Sequence, residues 1–366
     1  MQKIKNAGSG TSCTSDFGSV VGSDFDKNLS LTDSNDKTFN DSCQDQDPAS
    51  VRLSEEILHR FTPKKELSLQ VAERFNELSA IFVGSDRWYS EKYQRRSFRI
   101  SECGSVLIFS GNREKYKLQQ ANFCRDRLCP MCQWRRSYKL FGQLSKIIEH
   151  IKSKDEYKDL RFIFLTLTCK NVDYKEIKDG LENLNSAWRY FSNKVISRRR
   201  YIEGTFKTIE ITDRGNGFHP HIHVLMAVRE DYFTSNDYMS HDDLVKIWRK
   251  CLKVDYDPIV DIRSVKSKRG SYEKAIAEVS KYSVKGSDIL SVSNDIMNLH
   301  FLASALWHKR LTSYNGLFRS VYQLLGLSDV ESDSADLVHA DNEVLDPDLA
   351  VQVLRFRWGL TGYISF

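Results

Sequence analysis

The stretch His219-Pro220-His221-Ile222-His223-Val224-Leu225 carries three of the chain's nine histidines, each separated from the next by one residue. Successive side chains of a strand point to opposite faces, so the imidazoles lie on one face and Ile222 and Val224 on the other. Imidazole is the commonest metal ligand among protein side chains. The stretch therefore predicts a strand that holds a divalent ion. The alternative is a set of half-exposed structural histidines.

Runs of strand-like and helical sequence alternate around this histidine strand. The β-rich runs are 160–169, 204–212 and 259–265, and the helical runs are 174–199, 242–252 and 271–285. Residues 213–217 (Asp-Arg-Gly-Asn-Gly) tolerate positive φ and predict a hairpin between the second β-rich run and the histidine strand. The order β-α-β-β-α-β predicts an α+β fold with a split, ferredoxin-like core. In that core helices cover one face of an antiparallel sheet and the other face is open for a substrate.

Composition places the chain among globular proteins. Of its 366 residues, 40% are hydrophobic, 11% aromatic and 28% charged. No apolar run approaches the ~18 residues of a membrane-spanning helix, and the N-terminus lacks the apolar stretch of a signal peptide. We therefore expect a cytoplasmic protein without a membrane partner, whose eight cysteines are reduced or metal-bound.

The net charge of +5 conceals a strong segregation of charge. Residues 1–50 carry −4 and residues 327–350 carry −8, whereas residues 51–326 carry +15. The basic residues of this body are interleaved with aromatic side chains, a combination that suits phosphate contacts and base stacking. A polyanion partner is therefore expected. The predicted DNA-binding residues are Arg135, Arg136, Arg198, Arg199, Arg200, Lys268 and Arg269.

Shifts in composition predict four regions. Residues 1–50 are rich in Ser, Asp, Asn and Gly, which indicates a disordered tail. Residues 51–158 form a basic, cysteine-rich region, and residues 159–290 contain the predicted split core. Residues 291–366 are expected to be a helical C-terminal region, with a helix around 299–319 followed by an acidic segment.

A cysteine motif, Cys124-x4-Cys129-Pro130-Met131-Cys132, precedes a long helical run. Thiolates two residues apart can hold one ion from a tight turn, and Cys124 and Cys103 would complete a tetrahedral four-sulfur zinc site. A closed ligand shell of this kind predicts a structural ion that presents Arg135 and Arg136 at the start of the helix. Buried reduced thiols are the alternative.

Glu210 lies at the centre of the second β-rich run, between two isoleucines. If the hairpin register turns its carboxylate toward the histidines, Glu210 is a third ligand beside His221 and His223, with His219 as the other candidate. Two imidazoles and a carboxylate suit Mg²⁺ or Mn²⁺ with open positions for phosphate oxygens. The alternative is an edge glutamate paired with Lys207 or a neighbouring arginine.

The last helical run places Glu278, Tyr282 and Lys285 on one face. A tyrosine hydroxyl has a pKa near ~10, so as a nucleophile at neutral pH it needs a metal-polarised phosphate or a nearby cation. Lys285 would supply that cation. From the helix alone, a structural tyrosine is the commoner interpretation.

Four sequence blocks together carry a family resemblance. They are Cys129-Pro130-Met131-Cys132, Phe164-Leu165-Thr166-Leu167-Thr168, the histidine strand, and Lys281-Tyr282-Ser283-Val284-Lys285. In this order they resemble plasmid rolling-circle replication initiators (Rep proteins) of the His-hydrophobe-His (HUH) endonuclease class, of the single-tyrosine type found on small Gram-positive plasmids. The resemblance covers roughly residues 103–327, including Trp307-His308-Lys309-Arg310.

The resemblance implies roles for individual residues. Tyr282 would be the nucleophile, His221 and His223 metal ligands, and Glu278 the residue that activates water when replication ends. Glu210 stands where the family has a carboxylate before the histidine block.

The resemblance also implies an activity. The protein would nick one DNA strand at the origin through a 5′-phosphotyrosine, leave a 3′-hydroxyl primer, and rejoin the displaced strand. The implied partners are single-stranded or extruded origin DNA, a host helicase and DNA polymerase, and a second copy of the chain. The alternatives are an HUH-class transposase or relaxase, or a zinc-stapled DNA-binding regulator without nuclease chemistry.

Overall fold

The computed structural model describes residues 48–111, 116–265, 272–281, 284, 289–290, 295–340 and 352–366. The predicted tail lies outside these residues, apart from the start of the first helix. Four predicted functional residues also lie outside them: Lys268, Arg269, Tyr282 and Lys285.

The described residues form an α+β fold, as the sequence predicts. The α-helices are α1 (Pro48–Ile81), α2 (Arg87–Glu102), α3 (Pro130–Lys152), α4 (Ile177–Tyr190), α5 (His241–Leu252), α6 (Glu273–Val279), α7 (Met297–Ala305) and α8 (Leu317–Leu324). The strands are β1 (Val106–Gly111), β2 (Tyr116–Ala121), β3 (Arg161–Thr168), β4 (Ile202–Asp213), β5 (Phe218–Val228), β6 (Val260–Val265), β7 (Thr312–Gly316), β8 (Gln352–Trp358) and β9 (Tyr363–Ser365). Among the described helices, none is both long and apolar enough to cross a membrane.

A five-stranded antiparallel sheet, in the order β6-β3-β5-β4-β7, forms the centre of the fold. The predicted hairpin is confirmed, because β4 and β5 pair along their length with Asp213 opposite Phe218. Gly217 closes the turn with φ +123°, a backbone conformation that residues with a Cβ rarely adopt. The histidine strand is therefore β5, and it lies in the middle of the sheet.

Helices cover both faces of this sheet. On one face, α4 and α5 pack against the β-branched residues of β4 and β5, through residues such as Leu184 and Trp248. On the histidine face, α3, α6 and α8 pack against Phe206, Leu225 and Ala227. The prediction of helices on one face only is therefore wrong. The alternation that turns the histidines to this face also turns Leu225 and Ala227 to it, and these apolar groups need cover.

A second antiparallel sheet has the order β2-β1-β8-β9. Its central pair joins strands that lie far apart in sequence, with Val106 opposite Arg357. Phe109 of β1 lies edge-on to Phe61 of α1, with ring centroids 5.6 Å apart, and 6.1 Å from the ring of Phe356 in β8. Two of its strands, β1 and β2, belong to the cysteine-rich region.

The predicted helix at 299–319 is wrong in its second half. Helix α7 ends at Ala305, and His308 adopts φ +52°, which does not continue a helix. Residues 312–316 then form β7, the edge strand beside β4. The ring of Tyr314 packs on Phe206 of β4 with centroids 4.7 Å apart, so tertiary packing favours the strand here.

Residues 328–340, the described part of the acidic segment, run along α3, and we call them the strap. Arg135 Nε donates to the Leu337 carbonyl (2.8 Å), and Lys139 Nζ donates to the Asp336 carbonyl (2.6 Å). The strap is thus attached mainly through its backbone carbonyls, which basic residues of α3 satisfy. The side chains of Arg135 and Lys139 are buried where the strap covers α3.

Candidate functional site

Strand register brings Glu210 to the histidines. Glu210 lies directly opposite His221 in the β4–β5 pair, and Thr208 lies opposite His223. Directly opposed residues of paired strands share a face of the sheet. Glu210 therefore faces the imidazoles, which the sequence proposed only on condition of this register.

The three side chains converge on a buried point. Glu210 Oε2 lies 3.0 Å from His223 Nε2 and 3.4 Å from His221 Nε2. Each residue is 4–9% exposed, and one ligand atom from each lies within 4.8 Å of the others. Charged and polar groups at this burial need partners, so the geometry is that of a candidate metal centre.

The outer nitrogens of both imidazoles have partners of their own. His221 Nδ1 lies 3.2 Å from the His219 carbonyl, which can only accept, so the proton of a neutral His221 sits on Nδ1. His223 Nδ1 lies 3.2 Å from the Thr166 hydroxyl on β3. The Nε2 lone pair of His221 then faces a carboxylate oxygen, an unfavourable contact that a divalent cation relieves. The donor set therefore fits a metal ion.

The electrostatics of Glu210 agree with this fit. Burial raises the pKa of the Glu210 carboxyl, but its interactions with the His221 and His223 imidazoles outweigh burial and hold the pKa well below its usual range. The carboxylate is therefore ionised at neutral pH and supplies the negative charge that the two neutral imidazoles lack.

His219 stands apart from this group. Its Nδ1 lies 3.0 Å from the Asn171 side-chain oxygen, and its ring centroid is 5.5 Å from that of His221. The structure thus brings Glu210, rather than His219, together with the histidine pair.

Helix α6, the described part of the predicted nucleophile helix, packs on the histidine face. It contacts β5 and α3, and buries Ile276 and Val279 there. Glu278 is half-buried and forms an ion pair of 2.6 Å with Lys281. Tyr282 and Lys285 follow this helix closely in sequence but belong to the residues that the structure does not describe.

Four cysteines cluster between the end of α2 and the start of α3. Cys132 Sγ lies 3.4 Å from Cys103 Sγ and 3.6 Å from Cys124 Sγ, and all four sulfur atoms, including that of Cys129, lie within 4.8 Å of one another. The thiols are free, so no disulfide accounts for their approach. The structure therefore places Cys103, which is distant in sequence from the other three cysteines, inside the group.

Backbone amides point at these sulfur atoms. The Arg125 amide donates to Cys132 Sγ (3.1 Å), and the Cys124 amide donates to Cys103 Sγ (3.3 Å). Burial raises the pKa of the Cys103, Cys124 and Cys132 thiols. Amide donors aimed at sulfur favour thiolates, and four thiolates in the interior need a cation, so the donor set fits a tetrahedral ion such as zinc.

Helix α1 contributes two buried polar residues to this region. Lys65 is 1% exposed and donates from Nζ to the Cys103 carbonyl (3.1 Å), while Ser68 Oγ lies 3.6 Å from Cys129 Sγ. A lysine and a serine one turn apart in an amphipathic run gave no signal, because both are normal on an exposed helix face.

The profile of a family described as Replication protein matches residues 115–364. The chain belongs to this family. The resemblance to plasmid rolling-circle Rep proteins is confirmed, and initiation of plasmid replication is the function that this membership supports. No solved structure matches the chain significantly.

Several curated relatives of this Rep family protein carry the name Protein rep. That of Streptococcus pneumoniae serotype 2 is 36% identical over 288 residues, covering 76% of this chain and 83% of the relative. That of Bacillus amyloliquefaciens is 34% identical over 298 residues, with 74% and 85% covered. That of Lactiplantibacillus plantarum is 36% identical over 265 residues, with 68% and 80% covered.

Two of the predicted DNA-binding arginines lie inside the Rep protein. Arg135 and Arg136 are 5% and 1% exposed. The Arg136 guanidinium donates to the carbonyls of Val330, Arg125 and Asp126. In this conformation both guanidinium groups are hydrogen-bonded to backbone carbonyls and are not accessible to a DNA phosphate.

The second predicted basic cluster lies at the surface. Arg198 and Arg200 are exposed, whereas Arg199 is partly buried and donates to the Asp237 carbonyl (2.8 Å). Exposed arginines can contact phosphates without first breaking internal bonds. Arg198 and Arg200 are thus the accessible members of this predicted group.

Proposed function

We propose that this protein initiates rolling-circle replication of a plasmid by cutting one strand at the origin and joining its 5′ phosphate to Tyr282. The supporting observation is the convergence of Glu210, His221 and His223 on a sheet face that α6 also covers. Tyr282 follows the last residue of α6 by three positions. Tyr282 is therefore close in sequence to the helix that covers this face.

Under this proposal Glu210, His221 and His223 would hold a Mg²⁺ or Mn²⁺ ion, which would supply positive charge beside the scissile phosphate. The Tyr282 hydroxyl loses its proton and attacks phosphorus. The bond from phosphorus to the 3′ oxygen breaks, and that oxygen takes up a proton.

The products of this step are a 5′-phosphotyrosine and a 3′-hydroxyl primer. The energy of the broken bond is retained in the phosphotyrosine, so rejoining needs no nucleotide cofactor. Lys285 supplies a cation near the phenol. Glu278 accepts a proton from water when the covalent link is finally hydrolysed.

The strand arrangement supports an HUH-type split core. Strands β3 to β6 occur in the chain order β-α-β-β-α-β, and their order in the sheet is β6-β3-β5-β4. In a ferredoxin-like plan the first and third strands are central, which here places β3 and β5 at the centre and the metal ligands on a central strand. We propose this core for residues 159–290.

We propose that the four cysteines of the 51–158 region hold a structural Zn²⁺ ion. Their sulfur-only donor set is typical of closed structural sites. The ion would fix the end of α2 against the start of α3. X-ray fluorescence of protein purified without chelator measures it directly.

The proposed substrate is origin DNA in single-stranded or extruded form, since a buried metal centre cannot receive an intact duplex backbone. The 3′-hydroxyl primer implies a host DNA polymerase and helicase as later partners. A second copy of the chain at the origin is a further expected partner.

A covalent-capture assay tests this function. Oligonucleotides tiled across the plasmid origin are incubated with the protein and Mn²⁺, and protein–DNA adducts are separated on a denaturing gel. One strand should form an adduct that resists denaturation. Tyr282→Phe should abolish the adduct and keep DNA binding, because only the nucleophilic oxygen is removed.

The matched control is Tyr190→Phe, which alters an exposed tyrosine on α4 and should leave the adduct unchanged. Equal adduct from Tyr282→Phe and the unmodified protein would contradict the assignment of the nucleophile. A mobility shift without cleavage by the unmodified protein would favour the zinc-stapled regulator instead.

A further inference from the structure

A cavity of about 520 Å³ lies at the β7 edge of the five-stranded sheet, and we call it the edge pocket. It is walled by α3, α4, β7, α8 and the start of the strap. None of the three candidate metal ligands lines it. Its size is within the range of ~300–1,000 Å³ that small-molecule sites occupy.

A buried lysine lines the edge pocket. Lys207 of β4 is 4% exposed, and its Nζ donates to the Asn185 side-chain oxygen at 3.0 Å. Within the described part of the chain, no carboxylate lies at ion-pair distance from this ammonium. An ammonium has three N–H donors, and a buried one with a single partner favours an anionic ligand.

Three further polar atoms of the pocket lining are buried without a hydrogen-bond partner in the described structure. They are Gln143 Oε1, Ser313 Oγ and Tyr314 Oη. Unsatisfied buried polar atoms are costly, so each indicates a ligand or solvent partner. Gln143 Oε1 can only accept a hydrogen bond because it is a carbonyl oxygen. The ligand must therefore offer a donor as well as negative charge.

The remaining walls of the edge pocket are partly aromatic. The rings of Tyr314 and Tyr322 are stacked with centroids 4.6 Å apart, and Trp188 lines the pocket from α4. Aromatic walls suit a flat heterocycle, because every base has a π face. Arg189 and Arg319 lie exposed on the lining and add positive charge at the entrance.

A basic cleft continues from the edge pocket. It shares Asn185, Arg189 and Arg310 with the pocket and extends to His308 and Lys309. Two carboxylates partly neutralise the positive charge of the cleft. Lys309 pairs with Glu182 (2.7 Å), and Arg310 pairs with Asp329 (2.6 Å). The cleft makes the pocket accessible to a chain of nucleotides rather than only to a small molecule.

We propose that the edge pocket binds one nucleotide around the β7 edge, with its phosphate near Lys207 and Ser313 and its base against the aromatic wall, where Gln143 and the Tyr314 hydroxyl offer hydrogen bonds. The nucleotide is either a member of a DNA strand that lies in the basic cleft or a free nucleoside phosphate. Only the strand as a source rests on the proposed function. The pocket is separate from the metal centre, so it would hold a part of the DNA that is not cut.

Equilibrium binding tests the pocket without any cleavage. Full-length Tyr282→Phe protein in metal-free buffer is titrated with the four deoxynucleoside monophosphates, with short single-stranded oligonucleotides, and with inorganic phosphate. Lys207→Met in this background should weaken nucleotide binding about 10- to 100-fold, since a charge-assisted hydrogen bond is lost. Lys178→Met, which alters an exposed lysine on α4, is the matched control and should bind as the parent does.

The ligand series identifies the source of the nucleotide. Binding of monophosphates that depends on Lys207 supports a free-nucleotide pocket, and Lys207-dependent binding of oligonucleotides alone supports a strand pocket. Inorganic phosphate that binds as tightly as the nucleotides would overturn the proposal, as would folded Lys207→Met protein with unchanged affinity for every ligand. If Lys207→Met does not fold, Ser313→Ala and Tyr314→Phe decide in the same way, since each removes one polar atom.

The binding and cleavage experiments test the pocket and the proposed chemistry independently. Loss of the covalent adduct with intact Lys207-dependent binding would reject the proposed chemistry and keep the pocket. Normal adduct formation together with Lys207-independent binding would reject the pocket and keep the chemistry.

Discussion

Glu210 depends on the register of the β4–β5 pair for its position beside the histidines. The alternation of three histidines predicted a ligand face on β5 without further information. The carboxylate partner depended on which residues of β4 lie opposite, and one step of register would have turned Glu210 to the face that α4 and α5 cover. The observed pairing of Glu210 with His221 resolves the register.

Lys207, three residues earlier on the same strand, gave no signal in the sequence. A lysine between threonine and phenylalanine is normal on an exposed strand face, and its burial follows from α4 packing over it. A buried lysine of this kind lowers stability unless a ligand compensates. Its cost to stability is therefore measurable.

Lys207→Met should stabilise the ligand-free protein at pH 7. Burial lowers the pKa of Lys207 to about 8, against an ordinary 10.5, with Glu331 opposing the shift. Between these values the unfolded chain binds more protons than the folded one, so this lysine makes stability rise with pH. The variant should gain about 1–3 kcal/mol in free energy of unfolding at pH 7 and lose that advantage toward pH 10.5.

Urea unfolding of both proteins at pH 7 and pH 10 measures this difference directly. Lys178→Met should match the unmodified protein at both values, because that lysine is exposed. A Lys207→Met advantage that stays constant from pH 7 to pH 10 would show that Lys207 titrates as an ordinary lysine.

At the scale of elements, the β4–β5 hairpin depends on its turn. Gly217 has φ +123°, and a Cβ added there would lie 2.4 Å from the Val172 carbonyl oxygen. The Val172 and Phe218 backbones are hydrogen-bonded to each other in both directions, so the carbonyl cannot move freely. The turn therefore fixes the register that places Glu210 opposite His221.

Gly217→Ala should lower the free energy of unfolding by about 2–3 kcal/mol, through backbone strain and this clash. It should also weaken Mn²⁺ binding, because a shifted register separates Glu210 from the histidines. Gly215→Ala is the control in the same turn. Its φ is +78° with open space around the added methyl, so a loss of only about 1 kcal/mol is expected.

Urea unfolding and Mn²⁺ titration of the two alanine variants give the comparison. Equal losses of stability at the two positions would mean that the Val172 backbone moves away from the methyl group added at position 217. Unchanged Mn²⁺ affinity in Gly217→Ala would separate the turn from the metal centre.

The strands of the five-stranded sheet differ in how well sequence periodicity predicts them. The strands β3, β4, β5 and β6 were predictable because each is a β-branched or aromatic run bounded by turn residues. Strand β7 was not, since Thr312-Ser313-Tyr314-Asn315-Gly316 has no apolar alternation of its own. Pairing with β4 and the contact of Tyr314 with Phe206 supply its stability, and both are tertiary effects.

At the scale of the whole molecule, contacts distant in sequence were beyond prediction. Arg135 and Arg136 looked like DNA-binding residues because they stand in a basic helix beside a cysteine motif. In the fold they hold the strap, about two hundred positions later in the chain. Basic side chains that satisfy backbone carbonyls and those that bind phosphate have the same local sequence, and only tertiary structure separates them.

Strands β8 and β9 attach residues 352–366 to the cysteine-rich region. Strand β8 pairs with the whole length of β1, Phe356 is 5% exposed, and Tyr363 donates from its hydroxyl to the Gly104 carbonyl (2.6 Å). Gly104 follows Cys103 of the cysteine cluster. The second sheet therefore supports the proposed zinc site. The five-stranded sheet shares no strand with this second sheet.

Deletion of residues 352–366 should therefore damage the two candidate metal sites unequally. Strand β1 would become an edge strand and expose the apolar residues that β8 covers, which lowers the melting temperature and promotes aggregation. Release of zinc to a chelator should become at least about tenfold faster, since a local opening that costs 1.4 kcal/mol less is tenfold more populated. Mn²⁺ affinity at Glu210, His221 and His223 should stay within about twofold, because the five-stranded sheet keeps all its strands.

Leu360→Ser is the control for this deletion, because Leu360 is fully exposed between β8 and β9 and its replacement should alter neither site. Chelator-driven zinc release and Mn²⁺ titration are measured on the same preparations. A deletion that weakens Mn²⁺ binding as strongly as it speeds zinc release would show that the two sheets fold as one cooperative unit. Unchanged zinc release would mean that α1, α2 and α3 hold the four cysteines without help from β8 and β9.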